Sequence, residues 1–286
     1  PKFTGAFSDW YNGWFYSPSP AGLFGSGNVN MVSVSGGASH TLCLKNDGFV
    51  FAFGYNLSGQ LGIGNNSPWF NFDQVHGPNN IGYLTNVKAI AAGGNHSLFL
   101  RGDSTVWGTG DNLLGELGDG SNTDRYAVVQ VSNMTGIKAI ATGAHHSLFL
   151  KSDGTVWATG QNNKGQLGDS SYTDRNIPVK VKGLTGIVAI SAGWSHSLFL
   201  RSDGSVWSCG DNTNGQLGDN TLNLRNKPVQ IKGPGNVGFL TGITAITAGG
   251  FHSLLLKNDS TVFSCGYNYY GQLGDSTFLQ RKVPVQ

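Results

Sequence analysis

Five histidines in this chain share the same neighbours. His40, His96, His146, His196 and His252 each open a His-(Thr/Ser)-Leu-x-Leu segment. Imidazole ligates metals and acts as a general base near neutral pH, so these residues are the first to weigh for chemistry. Ligands of one ion must converge to about 2 Å from it. These histidines are spaced 56, 50, 50 and 56 residues apart, one per recurring block, which spreads them on a wide circle. Structural hydrogen bonding is the expected role, and no metal is expected. His145 and His146 are adjacent, but neighbours on a strand point to opposite faces.

The acidic residues follow the same logic. Asp47, Asp103, Asp153, Asp203 and Asp259 fall where hairpin turns are expected, and a turn aspartate bonds its own backbone. Asp119, Asp169, Asp219 and Asp275 follow a Gly-Gln-Leu-Gly or Gly-Glu-Leu-Gly loop. Acid–base catalysis needs paired carboxyls in different environments, whereas repeat-equivalent positions have similar ones. Cys43, Cys209 and Cys265 form no CxxC, so neither a disulfide framework nor a zinc site is expected. There is no GxxxxGK(S/T) loop and no GxSxG nucleophile elbow. No catalytic residue and no cofactor is expected, and the chain reads as not an enzyme.

The elements that position these residues are set by the repeat. One block recurs five times, from His40-TLCLKNDGFVFAFGYNLSGQLG to His252-SLLLKNDSTVFSCGYNYYGQLG. The two longer spacings come from six extra residues around the segments 77–84 and 233–240. Each block offers a short apolar run, a buried strand, an Asp-Gly type turn, a returning strand, a Gly/Asn-rich loop and a Pro-tolerant edge strand. A period near 50 with several short strands predicts a β-propeller, because one blade cannot bury both faces alone. A degraded copy at about 13–28 and the terminal Val283–Gln286 strand are expected to pair as a composite blade. The prediction is all-β: a single propeller domain over 1–286 with about six four-stranded blades, five full and one composite.

Composition agrees. Glycine contributes 44 of 286 residues, and Glu116 is the only glutamate, which argues against helices. The 18 basic and 16 acidic side chains leave a net charge of +2, so no nucleic-acid partner is expected. No apolar stretch is long enough for membrane insertion. Trp107, Trp157 and Trp207 share one repeat position and are expected to pack between blades. Arg125, Arg175, Arg225 and Arg281 recur in the long loop, where salt bridges or loop hydrogen bonds are expected.

The block Gly-x-x-His-Ser-Leu-x-Leu, Asp-Gly-x-Val, Gly-x-Asn-x-x-Gly-Gln-Leu-Gly resembles the repeat of the regulator of chromosome condensation family. The resemblance covers about residues 13–286. It implies a propeller of usually seven blades, and this chain departs from that number. It also implies, as an alternative function, guanine-nucleotide exchange on a small GTPase.

Function on a propeller resides where blades differ. One variable set precedes the motif histidines: Ser39, Asn95, His145, Trp194 and Phe251. A second is Trp69, Phe70 and Phe72 in the long loop of the first block. Both are expected to bind a partner. The expected function is a protein-interaction and assembly scaffold presenting variable loops to a protein or a surface glycan. The low charge and Asn/Gly/Thr-rich loops favour an extracellular, cell-surface or virion component with structural or adhesive roles.

Overall fold

The computed structural model describes residues 30–67 and 69–286. The expected partial repeat at about 13–28 lies outside the described residues. Among these, five four-stranded antiparallel sheets follow one another along the chain, each in simple meander order. The first holds β1 (Met31–Gly36), β2 (His40–Lys45), β3 (Val50–Tyr55) and β4 (Trp69–Gln74). The second holds β5 (Val87–Ala92), β6 (His96–Arg101), β7 (Val106–Gly110) and β8 (Arg125–Gln130). The third holds β9 (Ile137–Thr142), β10 (His146–Lys151), β11 (Val156–Gly160) and β12 (Arg175–Lys180). The fourth holds β13 (Ile187–Ala192), β14 (His196–Arg201), β15 (Val206–Gly210) and β16 (Arg225–Gln230). The fifth holds β17 (Ile243–Ala248), β18 (His252–Lys257), β19 (Val262–Gly266) and β20 (Arg281–Val285). The architecture is a β-propeller.

Burial follows position in the blade. The second strand is sandwiched between two neighbouring sheets and is apolar on both faces. In β6, β10 and β14 the first five residues are all buried. The fourth strand lies at the outer edge and is buried on one side at most, as in β8 and β12. Its proline, Pro178 in β12, is therefore tolerated. First strands of successive blades touch one another (β1 with β5, β5 with β9, β9 with β13, β13 with β17). Apolar clusters span each junction. One joins Leu148, Leu150 and Val156 of the third blade to Ile187 and Phe199 of the fourth. Trp157 and Trp207 are partly buried against these clusters.

The hairpin turns take the expected form. Asp153 accepts from the backbone N–H of Thr155 at 2.9 Å and from its hydroxyl at 2.7 Å, and Gly154 takes φ +79°. The second and fifth blades place Ser104 and Ser260 at this left-handed position instead.

The C-terminal strand departs from expectation. Val283–Gln286 was to pair with the N-terminal segment in a composite blade. Val283, Pro284 and Val285 belong to β20, which pairs with β19, Ser264 opposite Val285 and Gly266 opposite Arg281. The chain leaves β19 through the same Gly-Gln-Leu-Gly loop as in the other blades and returns beside it. Closing that short loop costs less chain entropy than reaching a distant strand.

Candidate functional site

The motif histidines are junction residues. In four of them Nε2 meets a serine hydroxyl of the next blade: His40 with Ser97 (2.9 Å), His96 with Ser147 (3.1 Å), His146 with Ser197 (3.0 Å) and His196 with Ser253 (3.1 Å). Each serine donates its own proton to a backbone carbonyl in the loop of the preceding blade, that of Gln60, Glu116, Gln166 or Gln216, at 2.7–2.8 Å. The hydroxyl must then accept from Nε2–H, which fixes the tautomer. Nδ1 of all four rings is buried without a partner among the described residues. Burial holds the rings neutral. The pKa falls to about 4 at His40, to about 3 at His146 and His196, and well below the ordinary value at His96.

The glycine three residues before each histidine makes room for the ring. A Cβ on Gly143 would stand 2.3 Å from the His146 ring and 2.4 Å from the Gly193 carbonyl of the next blade. These loops also bond across blades through their backbones: Ala38 to Gly93, Gly94 to Gly143, Ala144 to Trp194 and Trp194 to Gly250. The arrangement locks blades together and buries His40, His96, His146 and His196, while His252 is only partly buried.

A second lock lies at the outer edge. Arg125, Arg175, Arg225 and Arg281 pair with Asp119, Asp169, Asp219 and Asp275 at 2.6–2.8 Å, each aspartate side chain being almost wholly buried. Burial alone would raise the Asp169 pKa. Hydrogen bonds from Ser171, Arg175 and Asn162 outweigh it and hold the carboxyl below its ordinary value.

One face of the propeller carries the loops between first and second strands and between third and fourth strands. Here the blades differ. Ser39 is exposed, and Asn95 accepts from the Gln60 amide at 3.4 Å. Trp194 and Phe251 come together edge to face with ring centroids 4.7 Å apart. Phe251 continues to Tyr267 at 6.3 Å, and Tyr267 lies against Tyr269 and Tyr270 at 6.4 and 6.2 Å. Tyr269 and Tyr270 are 67% and 69% exposed. The result is a contiguous aromatic patch over the fourth and fifth blades. The three tyrosines were legible as Gly-Tyr-Asn-Tyr-Tyr-Gly, where the third and fourth blades read Gly-Gln-Asn-Asn-Lys-Gly and Gly-Asp-Asn-Thr-Asn-Gly.

Trp69, Phe70 and Phe72 lie in strand β4 of the first blade rather than in a loop. The segment pairs with β3, Phe70 opposite Gly54 and Trp69 opposite Tyr55. Phe72 stacks on Phe51 at 4.7 Å and tilts against Phe53 at 5.9 Å, so it covers the sheet of its own blade.

His145 meets acidic residues instead of aromatics. At the junction of the second and third blades its Nδ1 lies 3.5 Å from Glu116 Oε1 and 3.8 Å from Asp111 Oδ2. Glu116 is fully buried and sits where the other four blades have Gln60, Gln166, Gln216 and Gln272. Its Oε2 accepts from the Leu114 N–H at 3.0 Å, as the glutamines accept at their own turns. The Glu116 carboxylate raises the His145 pKa. Burial, then the charge of Glu116, raises that of Asp111, and burial raises that of Asp124 alongside. Sequence reasoning took Glu116 only as evidence against helices. Its substitution into a glutamine position was the signal.

A run of four-stranded blades, stapled by buried His–Ser contacts and presenting unlike loops on one face, defines a repeat propeller of the interaction type. The chain belongs to the RCC1-like domain family, whose model matches residues 16–286. Among curated relatives it is 29% identical over 119 residues to the regulator of chromosome condensation of Xenopus laevis. That match covers 41% of this chain and 26% of the relative. It is 36% identical over 109 residues to pim1 of Schizosaccharomyces pombe, covering 35% of this chain and 20% of the relative. The matched segments thus span about a quarter or less of these relatives. Human WBSCR16 superposes with a TM-score of 0.78 at 23% identity, over 90% of this chain and 66% of that one. Yeast RCC1 (Prp20), solved bound to Kap60, gives 0.77 at 19% identity, over 90% and 61%. These likenesses show the fold.

They also correct one expectation. The relatives are named as regulators of chromosome condensation, and yeast Prp20p is described with Gsp1p and histones, which points away from the extracellular, cell-surface or virion location read from composition.

Proposed function

We propose that this chain is a non-enzymatic interaction scaffold that docks a protein partner on the face carrying the variable loops. The observation that carries this reading is the aromatic patch of Trp194, Phe251, Tyr267, Tyr269 and Tyr270. Aromatic side chains bring large contact area at low entropic cost and are enriched at interface hot spots. The scaffold beneath is rigid, because backbone hydrogen bonds tie each supporting loop to the next blade. The expectation from sequence was a site around Trp194 and Phe251, and the three tyrosines extend it.

The test is capture of a partner by the purified chain, repeated with Tyr269→Ala/Tyr270→Ala, with Trp194→Ala, and with Asp153→Asn on the opposite face. Both patch variants are expected to weaken capture at least tenfold, with Asp153→Asn unaffected. Capture that survives both patch variants would remove the patch from the interface. A glycan ligand, the other partner class expected from sequence, would appear as patch-dependent binding to glycans without protein.

A second reading is nucleotide exchange on a small GTPase. It is supported by family membership and by yeast Prp20p, whose solved structure is described with its binding to Gsp1p and histones. Release of fluorescent GDP from Gsp1p, accelerated by this chain and lost in the patch variants, would favour it over a passive scaffold.

A further inference from the structure

We infer that Asp111, Glu116 and His145 form a binding site for one divalent transition-metal ion of the zinc class. The first ground is geometry. One donor atom from each residue lies within 4.8 Å of the others. The His145 Nδ1 separations, 3.5 Å to Glu116 and 3.8 Å to Asp111, are too long for good hydrogen bonds. They suit ligands sharing an ion, since donors about 2.1 Å from a tetrahedral metal stand about 3.4 Å apart.

The second ground is an unsatisfied buried group. Glu116 is fully buried, yet its Oε1 has no hydrogen-bond partner among the described residues, and neither has His145 Nδ1. Comparison of the blades shows what is lost. In three glutamine blades the atom equivalent to Oε1 is an amide nitrogen that donates: Gln60 to Asn95, Gln166 to Gln161, Gln216 to Asp211. Glu116 cannot donate, and its neighbour Asp111 is also an acid. Where the fourth blade has an amide against a carboxylate, this blade has two carboxylates, with Asp124 as a third beside them. Arg125 does not compensate, being committed to Asp119. A buried carboxylate with an unbonded oxygen is costly, and among the described residues the cation within ion-pair distance of it is the His145 ring when protonated, at 3.5 Å, a place a metal ion would take over with His145 as a neutral ligand.

The donor set selects the cation. One imidazole nitrogen with carboxylate oxygens suits zinc and its neighbours, whereas calcium takes six to eight oxygens. His145 is about 40% exposed, so the site opens on the variable face and leaves a coordination position for water or a partner side chain. The histidine comes from one blade and both acids from the preceding one, so a bound ion would add a further staple across this junction.

Calorimetric titration of the metal-free chain with Zn2+ at about pH 7.5 tests this. One ion per chain is expected to bind, with a rise in thermal midpoint. Glu116→Gln restores the residue of the other four blades and so keeps the fold, and His145→Asn installs the residue of the second blade. Each is expected to weaken binding at least tenfold, while His76→Ala leaves it unchanged. Visible absorption of bound Co2+ should disappear in the same two variants. No binding by the wild-type chain would overturn the proposal. So would zinc binding that persists in Glu116→Gln or is lost in His76→Ala.

Discussion

Mild acid should destabilise this propeller through its motif histidines. His40, His96, His146 and His196 are neutral in the fold, with pKa values of about 4, well below 6.5, about 3 and about 3. In the unfolded chain each returns to about 6.5. A base whose folded pKa is depressed takes up its proton preferentially in the unfolded state. Its contribution to stability is whole above about pH 6.5 and is lost as pH falls toward the folded value. At about pH 5 the loss per ring is RT ln(1 + 10^1.5), about 2 kcal/mol, and is insensitive to the folded value once that is 4 or lower. Four rings give about 8 kcal/mol, comparable with the whole stability of a domain. His145 offsets this only at the upper end of the interval, above about pH 6.5. Its raised pKa contributes stability that is already complete below about pH 6.5 and is lost only as pH rises through the folded value. The paired loop aspartates, with depressed pKa values, act at lower pH. The assay is the thermal midpoint from about pH 7.5 to about pH 5, with an expected fall of roughly 10–15 °C. His146→Gln keeps a donor for Ser197 but removes one titrating ring, and should cancel about 2 kcal/mol of the loss. A midpoint that stays level across this interval would refute the argument that these rings are held neutral at the blade junctions.

Two stability changes follow from the same packing. Gly143→Ala places a methyl against the His146 ring and the Gly193 carbonyl, and should cost about 1–3 kcal/mol or more by denaturant titration, with similar effects at Gly93 and Gly193. Ser260→Gly relieves a left-handed turn position at φ +68° and should leave stability unchanged or raise it by up to about 1 kcal/mol. A clear loss there would mean that the Ser260 side chain supports the turn.

Much of this protein is determined by its sequence, because its blades are built from contacts between neighbours along the chain. Alternating and continuous apolar runs, Asp-Gly turns and glycine-ended strands mark β5 to β20 with little ambiguity. Each strand pairs with the next across a short loop, so local pattern and global topology coincide. His40, His96, His146 and His196 were legible as structural for the same reason, since like residues in like settings do not specialise.

What the tertiary structure decided lies between blades. The Ser97, Ser147, Ser197 and Ser253 partners of the histidines are about 50 residues away, and only the angle between adjacent sheets brings them within hydrogen-bond reach. The same angle carries His145 to Glu116 and Asp111, and Trp194 to Phe251 and the tyrosines of the fifth blade. The C-terminal strand, expected to join an N-terminal segment in a composite blade, ends β20 beside β19. Strand patterns record which face is buried. They do not record which loop of the next blade will meet it, and the face where blades differ is assembled from those meetings.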